Sequence, residues 1–268
     1  MAADEPAVEA HQQSEVEENM AALRACASDV AAAMARRVKA VVAPDGCVTP
    51  PAGSKLCHFI RHGEGFHNVA QREWRADPQW DGTSEPYTLD TDPDYKFVDA
   101  ELNDKGRGQV TDLQQKTAAL KPELLVVSPM RRATVTGLLA FEPHVSRGEL
   151  PVLAHELAHE RAGRHTCDKR LSKAELAQLY AAVDYSAITS EDDPFWGDGV
   201  TREPWPALGA RAGQFIDWLL ARPESHVVVA SHSAFLLAVF NAVLEVETES
   251  TRSWFGTGEM RSVLLTPV

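Results

Sequence analysis

Apolar runs of strand length end, at four places in this chain, in side chains capable of chemistry. Residues 56–60 give way to Arg61-His62-Gly63-Glu64, with His67 and Asn68 close behind. Residues 124–127 lead into Ser128-Pro129-Met130-Arg131-Arg132-Ala133. Residues 151–154 lead into a segment holding Glu156, Glu160 and Arg161, and residues 226–230 end in Ser231-His232-Ser233. Burying charged groups is costly, so one such ending reads as a strand that simply reaches the surface; four alike point to a shared site. Two arginines and two histidines together suit a phosphate, because guanidinium binds phosphate oxygens in bidentate fashion. Cations nearby keep an imidazole neutral, and neutral imidazole is a nucleophile toward phosphorus. The second histidine and the arginines would hold the equatorial oxygens as charge spreads. A carboxylic acid would protonate the leaving oxygen and later activate water; by position, Glu156 and Glu160 both qualify. Arginines supply the positive charge, so the chemistry calls for no metal and no cofactor.

The elements that must position these groups alternate. Helices are expected over residues 64–74, 104–120, 129–140, 172–180, 206–220 and 235–244, between strands at 56–60, 124–127, 151–154 and 226–230, with a last strand at 262–266. Ser172 and Glu175 form a capping box. Strands alternating with helices predict an α/β fold: a three-layer α/β/α sandwich with a mostly parallel central sheet. Ligands bind such sheets outside the carboxyl ends of the strands, where right-handed crossovers gather all four endings. Residues 1–14 read as a disordered acidic tail. Residues 15–42 read as one helix, with Leu23, Val30, Met34, Val38 and Val41 on one face; no motif falls in it, so it reads as dispensable for chemistry. This gives an N-terminal helical extension over 1–50 and a catalytic domain over 51–268. Two long acidic, aromatic excursions, 75–101 and 183–204, suit a lid or the mouth of a pocket.

Composition narrows the function. The 268 residues carry a net charge of −13, which argues against nucleic-acid binding while leaving room for a locally basic pocket and a small anionic substrate. No apolar stretch is long enough to span a bilayer, and the acidic N-terminus does not resemble a targeting peptide. Cys26, Cys47, Cys57 and Cys167 form no C-x-x-C pair, which suits reduced thiols in the cytoplasm. No feature specifies an oligomeric state. One decoy stands out: His155-Glu156-Leu157-Ala158-His159 is a literal H-E-x-x-H, with His165 beyond it. A zinc protease needs that motif on a helix, and Pro151-Val152-Leu153 reads as strand.

Taken together, Arg61-His62-Gly63-Glu64 with Asn68, the Ser-Pro-x-x-Arg-Ala run ending at Ala133, and Ser231-His232 resemble the histidine phosphatase superfamily, with its phosphoglycerate mutase-like fold. The run from Glu160 to Arg170, the stretch from Phe97 to Leu102 and Glu259-Met260-Arg261-Ser262 are similar to a plant and fungal branch. The resemblance spans residues 55–266. It implies that His62 is the nucleophile, that Arg61, Arg132 and His232 complete the phosphate pocket, that Asn68 is a further phosphate or substrate contact, and that Glu160 is the proton donor. Arg132 is preferred to Arg131 because it precedes Ala133, and Glu156 becomes an exposed or structural carboxylate. Asp168 with Lys169 and Arg170 suggests a structural ion pair beside the acid loop. Mutases of the family carry Ser where this chain has Gly65, Gly-Gly where it has Ser233-Ala234, and a tyrosine near the acid that is absent around Ala162-Gly163. Those departures favour a phosphomonoesterase over a mutase; a non-catalytic phospho-ligand binder is the remaining alternative.

Overall fold

The computed structural model describes residues 5–268, with side chains from Gln13 onward. Its centre is β2 (Lys55–Arg61), whose run Leu56–Ile60 is wholly buried. β2 pairs in parallel with β5 (His226–Ser231), and β5 with β3 (Leu124–Val127), which pairs with β4 (Val152–Ala154). On its other side β2 meets β7 (Met260–Pro267), followed by β1 (Val38–Val42) and β6 (Leu244–Val246). The sheet order is β4-β3-β5-β2-β7-β1-β6, and β7 is the strand that runs antiparallel to its neighbours. The mostly parallel sheet expected from the sequence is present.

Near-continuous Val, Leu and Ile runs suit strands buried on both faces. Phe59, Val126, Val227 and Val229 join one core cluster with residues of α1 (Glu5–Ala33), α7 (Trp205–Ala221) and α8 (Ser233–Ala238). Ile60, Leu125, Val127, Val228 and Ala230 join a second cluster with residues of α3 (Asp104–Thr117) and α4 (Arg131–Ala140). Each fully buried aliphatic side chain contributes about 1.5–3 kcal/mol. α2 (Phe66–Arg75) follows β2, α5 (Glu142–Ser146) follows α4, and α6 (Lys173–Leu179) opens with the expected Ser172–Glu175 capping box.

Three expectations need correcting. The tail drawn over residues 1–14 is helical from Glu5, and residues 1–4 lie outside the described residues. The helix drawn to residue 42 stops at Ala33; residues 38–42 form β1, because Val38 and Ala40 alternate into the core between β7 and β6. Part of the segment drawn as an N-terminal extension therefore belongs to the sheet. The helix drawn over 235–244 is α8 followed by a π-helical turn, Val239–Val243, and then β6. The excursion 75–101 is tied down: Thr166 donates to the Tyr87 carbonyl (2.7 Å) and to Asp92 (2.6 Å), and buried Asp99 accepts from the Arg131 and Leu171 amides. It contributes Arg75, Glu85 and Tyr87 to the wall of a cavity.

Candidate active site

Register explains why the four strand endings meet. Arg61 lies opposite Ser231, Val127 opposite Ala230, and Ala154 opposite Val127, so β2, β5, β3 and β4 finish nearly level. His62 follows β2 directly and His232 follows β5, while Arg132 lies in the first turn of α4. After β4 a single 3₁₀ turn, Glu156–Ala158, delivers Glu160. Arg61, His62, Asn68, Arg132 and Glu160 line one cavity of about 470 Å³. His232 backs it, its ring centred 5.2 Å from that of His62.

His62 is 1 % exposed. Its Nδ1 lies 2.7 Å from the Gly63 carbonyl oxygen; a carbonyl only accepts, so Nδ1 carries the proton and Nε2 keeps its lone pair. Burial, then the charges of Arg132 and Arg61, hold its pKa well below the usual histidine value, so the ring is neutral at neutral pH. Burial and Arg132 act in the same direction on His67 and His232. His232 Nε2 pairs with Ser128 Oγ at 2.8 Å.

The guanidinium groups are held from behind. Arg61 donates to the Phe255 carbonyl (2.6 Å) and faces the Trp254 ring; burial lowers its pKa to about 10. Arg132 donates to the Cys167 carbonyl (2.6 Å) and to Asp168 Oδ1 (2.7 Å). Arg202 reaches Asp168 Oδ2 at 2.8 Å. Burial alone would raise the Asp168 carboxyl, but Arg202 and Arg132 hold it well below the usual range. Four buried nitrogens around His62, namely Arg61 Nε, Arg132 Nε, His67 Nδ1 and His232 Nδ1, have no protein partner. Buried polar atoms are almost always paired, so this cluster is suited to an oxyanion.

Glu160 sits at the start of α8. Its oxygens accept from the amides of Phe235 (3.1 Å), Ala234 (3.3 Å) and Arg161 (2.8 Å), with Ser233 Oγ at 3.4 Å. The helix N-terminus thus places the carboxyl on the cavity wall. Asn68 accepts from the Gly65 amide through Oδ1 (2.9 Å), which leaves its NH₂ group for a ligand. Gly65 lies against His67: a Cβ there would come within 2.7 Å of the His67 ring, so the serine found in mutases does not fit beside this histidine.

The other candidates separate from the site. Arg131 turns to Glu101 and the Asp99 carbonyl. Both Glu156 oxygens receive Arg170 at 2.9 Å, making it structural. The H-E-x-x-H run holds no metal geometry: His155 packs on Trp218 and Phe215, while His159 pairs with Asp193 at 3.2 Å. Asp168 pairs with Arg132 and Arg202, not with Lys169 or Arg170 as the sequence suggested. His165, Cys167 and Asp168 bring three donor atoms within 4.8 Å of one another. Both Asp168 oxygens already face guanidinium groups, so the set does not fit a cation. Arg161, Arg202, Tyr87 and His165 also line the cavity; sequence reasoning gave the first three no role and singled out His165 only as a third ligand position beyond the H-E-x-x-H run. Arg161 had a signal in its place beside Glu160; Arg202 lies in an excursion with no readable pattern. The N-terminal helix, read as dispensable, lines the cavity too, through Glu15 and its neighbours.

Comparisons with known proteins identify the family of this chain. Residues 95–264 match the model of the histidine phosphatase superfamily (branch 1), a span that includes Arg132, Glu160 and His232 and begins after His62. A "Phosphoglycerate mutase-like protein" of Arabidopsis thaliana is 31% identical over 210 residues, covering 68% of this chain and 72% of its own. A "Probable phosphatase" of Schizosaccharomyces pombe is 29% identical over 182 residues, covering 66% of this chain and 74% of its own. Among solved structures, a putative alpha-ribazole-5'-P phosphatase from Escherichia coli superposes with a TM-score of 0.49 at 18% identity, over 78% of this chain and 89% of its own. No helix among the described residues is long and apolar enough to cross a membrane. The chain, with this sheet and the matched span across its site, belongs to the histidine phosphatase superfamily.

Proposed function

We propose that this protein is a metal-independent phosphomonoester hydrolase that acts through a phosphohistidine on His62. The observation that carries the reading is the His62 tautomer: Nδ1 is tied to the Gly63 carbonyl, and Nε2 is neutral and free beside Arg61, Arg132 and His232. The ester phosphate lies among the unpartnered nitrogens. Nε2 forms a bond to phosphorus as the ester P–O bond breaks, and Glu160 in its acid form gives its proton to the departing oxygen. Arg61, Arg132 and His232 donate to the phosphoryl oxygens. In the second half Glu160 takes a proton from water, the water oxygen bonds to phosphorus, the P–N bond breaks, and inorganic phosphate leaves with His62 neutral again. Asn68 donates to phosphate or substrate from the rim.

The substrate class is a small phosphorylated metabolite, as the cavity volume allows. Hydrolysis is favoured over mutase-type transfer because the chain has Gly65 where the family's mutases carry serine, and a side chain there would meet the His67 ring. A cytoplasmic setting belongs to the same proposal: Cys26, Cys57 and Cys167 are buried free thiols, which suits a reducing compartment. The test is phosphate release from a panel of phosphomonoesters with chelator present, wild type beside His62→Ala. Chelator-resistant release that disappears in the variant is expected. Release that depends on metal, or that survives His62→Ala, refutes the mechanism; transfer to phosphoglycerate without release supports a mutase instead.

A further inference from the structure

Helix α1 takes no part in the chemistry above, yet it reaches the site. Its second half is anchored to the body: Leu23, Cys26 and Val30 are buried, Val30 and Cys26 press on Gly209 of α7, and Arg24 donates to Asn241 (3.2 Å) and Glu249 (2.6 Å). Its first half supplies Gln13, Glu15, Val16 and Asn19 to the cavity that contains His62. Glu15 accepts from Arg75 Nη1 at 2.9 Å, and Arg75 Nη2 donates to Glu85 at 2.8 Å. Gln71 donates to the other Glu85 oxygen at 3.2 Å. Arg75 is 6% exposed and Glu15 44%, so the network is fixed at its centre and wet at its edge.

The two ends of the cavity differ in charge. Around His62, the cations Arg61, Arg132, Arg161 and Arg202 face the acids Glu160 and Asp168, four against two. At the α1 end, Glu15 and Glu85 face Arg75 alone, two against one. The first end is net positive and the second net negative. The second end also carries amides, from Gln13, Asn19 and Gln71, whereas the Trp205 and Trp254 rings of the cavity carry Arg161 (4.1 Å) and Arg61 (5.6 Å) at the other end. Carboxylates and amides exchange hydrogen bonds with hydroxyl groups. A second phosphate at that end would meet like charge.

We infer that the wall supplied by α1, with Glu15 as its charged member, selects the leaving group: a neutral, hydroxylated sugar or polyol in preference to one bearing a second phosphate. This rests on the phosphomonoesterase reading. It is tested by kcat/KM for ribose 5-phosphate and glucose 6-phosphate, each beside the bisphosphate of the same sugar, in wild type, Glu15→Gln and Glu15→Lys. The monophosphate is preferred by the wild type, and the preference falls about fivefold in Glu15→Lys, the scale of a partly exposed charge. Bisphosphates preferred by the wild type, or a ratio unmoved by both substitutions in folded protein, overturns the inference and leaves the hydrolase reading intact. No turnover of any ester by the wild type counts against the hydrolase reading instead. Contact is read separately by hydrogen exchange on His62→Ala, which does not consume the ester. Residues 13–20 are slowed more by the sugar monophosphates than by inorganic phosphate; equal exchange with both overturns the inference.

Discussion

Replacing Asp168 by Asn tests whether the arginines proposed to bind phosphate are held from behind. The carboxylate is buried and accepts from Arg132 Nη2 at 2.7 Å and Arg202 Nη1 at 2.8 Å. Asparagine keeps the shape but removes the charge, and it leaves one oxygen to serve two guanidinium groups. Breaking a buried ion pair costs about 3–5 kcal/mol. At about 2 °C per kcal/mol for a chain of this size, Tm should fall by roughly 6–10 °C. Arg132 is then free to swing, and a misplaced transition-state contact lowers kcat by about 10–100-fold. KM should not rise, because removing a negative charge beside the site favours anion binding. Steady-state kinetics at a temperature where Asp168→Asn is folded, together with thermal unfolding, read both effects. Unchanged kcat in a variant with lowered Tm would show that Asp168 only stabilises the fold. Unchanged kcat and Tm would refute the positioning argument outright.

Gly65→Ser forces a Cβ to within 2.7 Å of the His67 ring; activity should fall about tenfold, and the added His67→Ala change should recover part of it, as measured by kcat/KM. Glu160→Gln should slow alkyl phosphates far more than an activated aryl phosphate, since only the former need the proton; equal slowing would remove Glu160 from that role. Far from the site, buried His58 contacts His226 at 2.8 Å, and burial followed by the His226 charge lowers its pKa from 6.5 to about 4. The unfolded chain therefore binds a proton first. Stability from this group is fully present above pH about 6.5 and is lost as pH falls toward 4, by about 3 kcal/mol. Denaturant unfolding across that range should show the loss, and His58→Phe should flatten it.

The sequence made the candidate site's edge legible because β2, β3, β4 and β5 are runs dominated by apolar residues, His58 and His226 apart, that stop abruptly at Arg61, Ser128, His155 and Ser231. That pattern is local, and so is the Ser172–Glu175 cap. What was missed depends on partners distant in the chain. Val38 and Val41 fit a helix face as well as a strand; residues 263–267 decide, by pairing with β1 across the sheet. Asp168 has Lys169 and Arg170 beside it, yet the fold gives it Arg132 and Arg202 from 36 and 34 positions away. Glu15 looks like any polar residue on a helix until Arg75 is brought beneath it.

In the proposed mechanism His62 Nε2 becomes phosphorylated. Rapid quenching into alkali during turnover of a phosphomonoester, followed by peptide mass analysis, tests it most directly. The expected result is one acid-labile phosphoryl group on the peptide carrying His62, absent from His62→Ala and accumulating in Glu160→Gln when an activated aryl ester is used. Turnover without any phosphoryl group on that peptide, or phosphorylation at another residue, would contradict the mechanism.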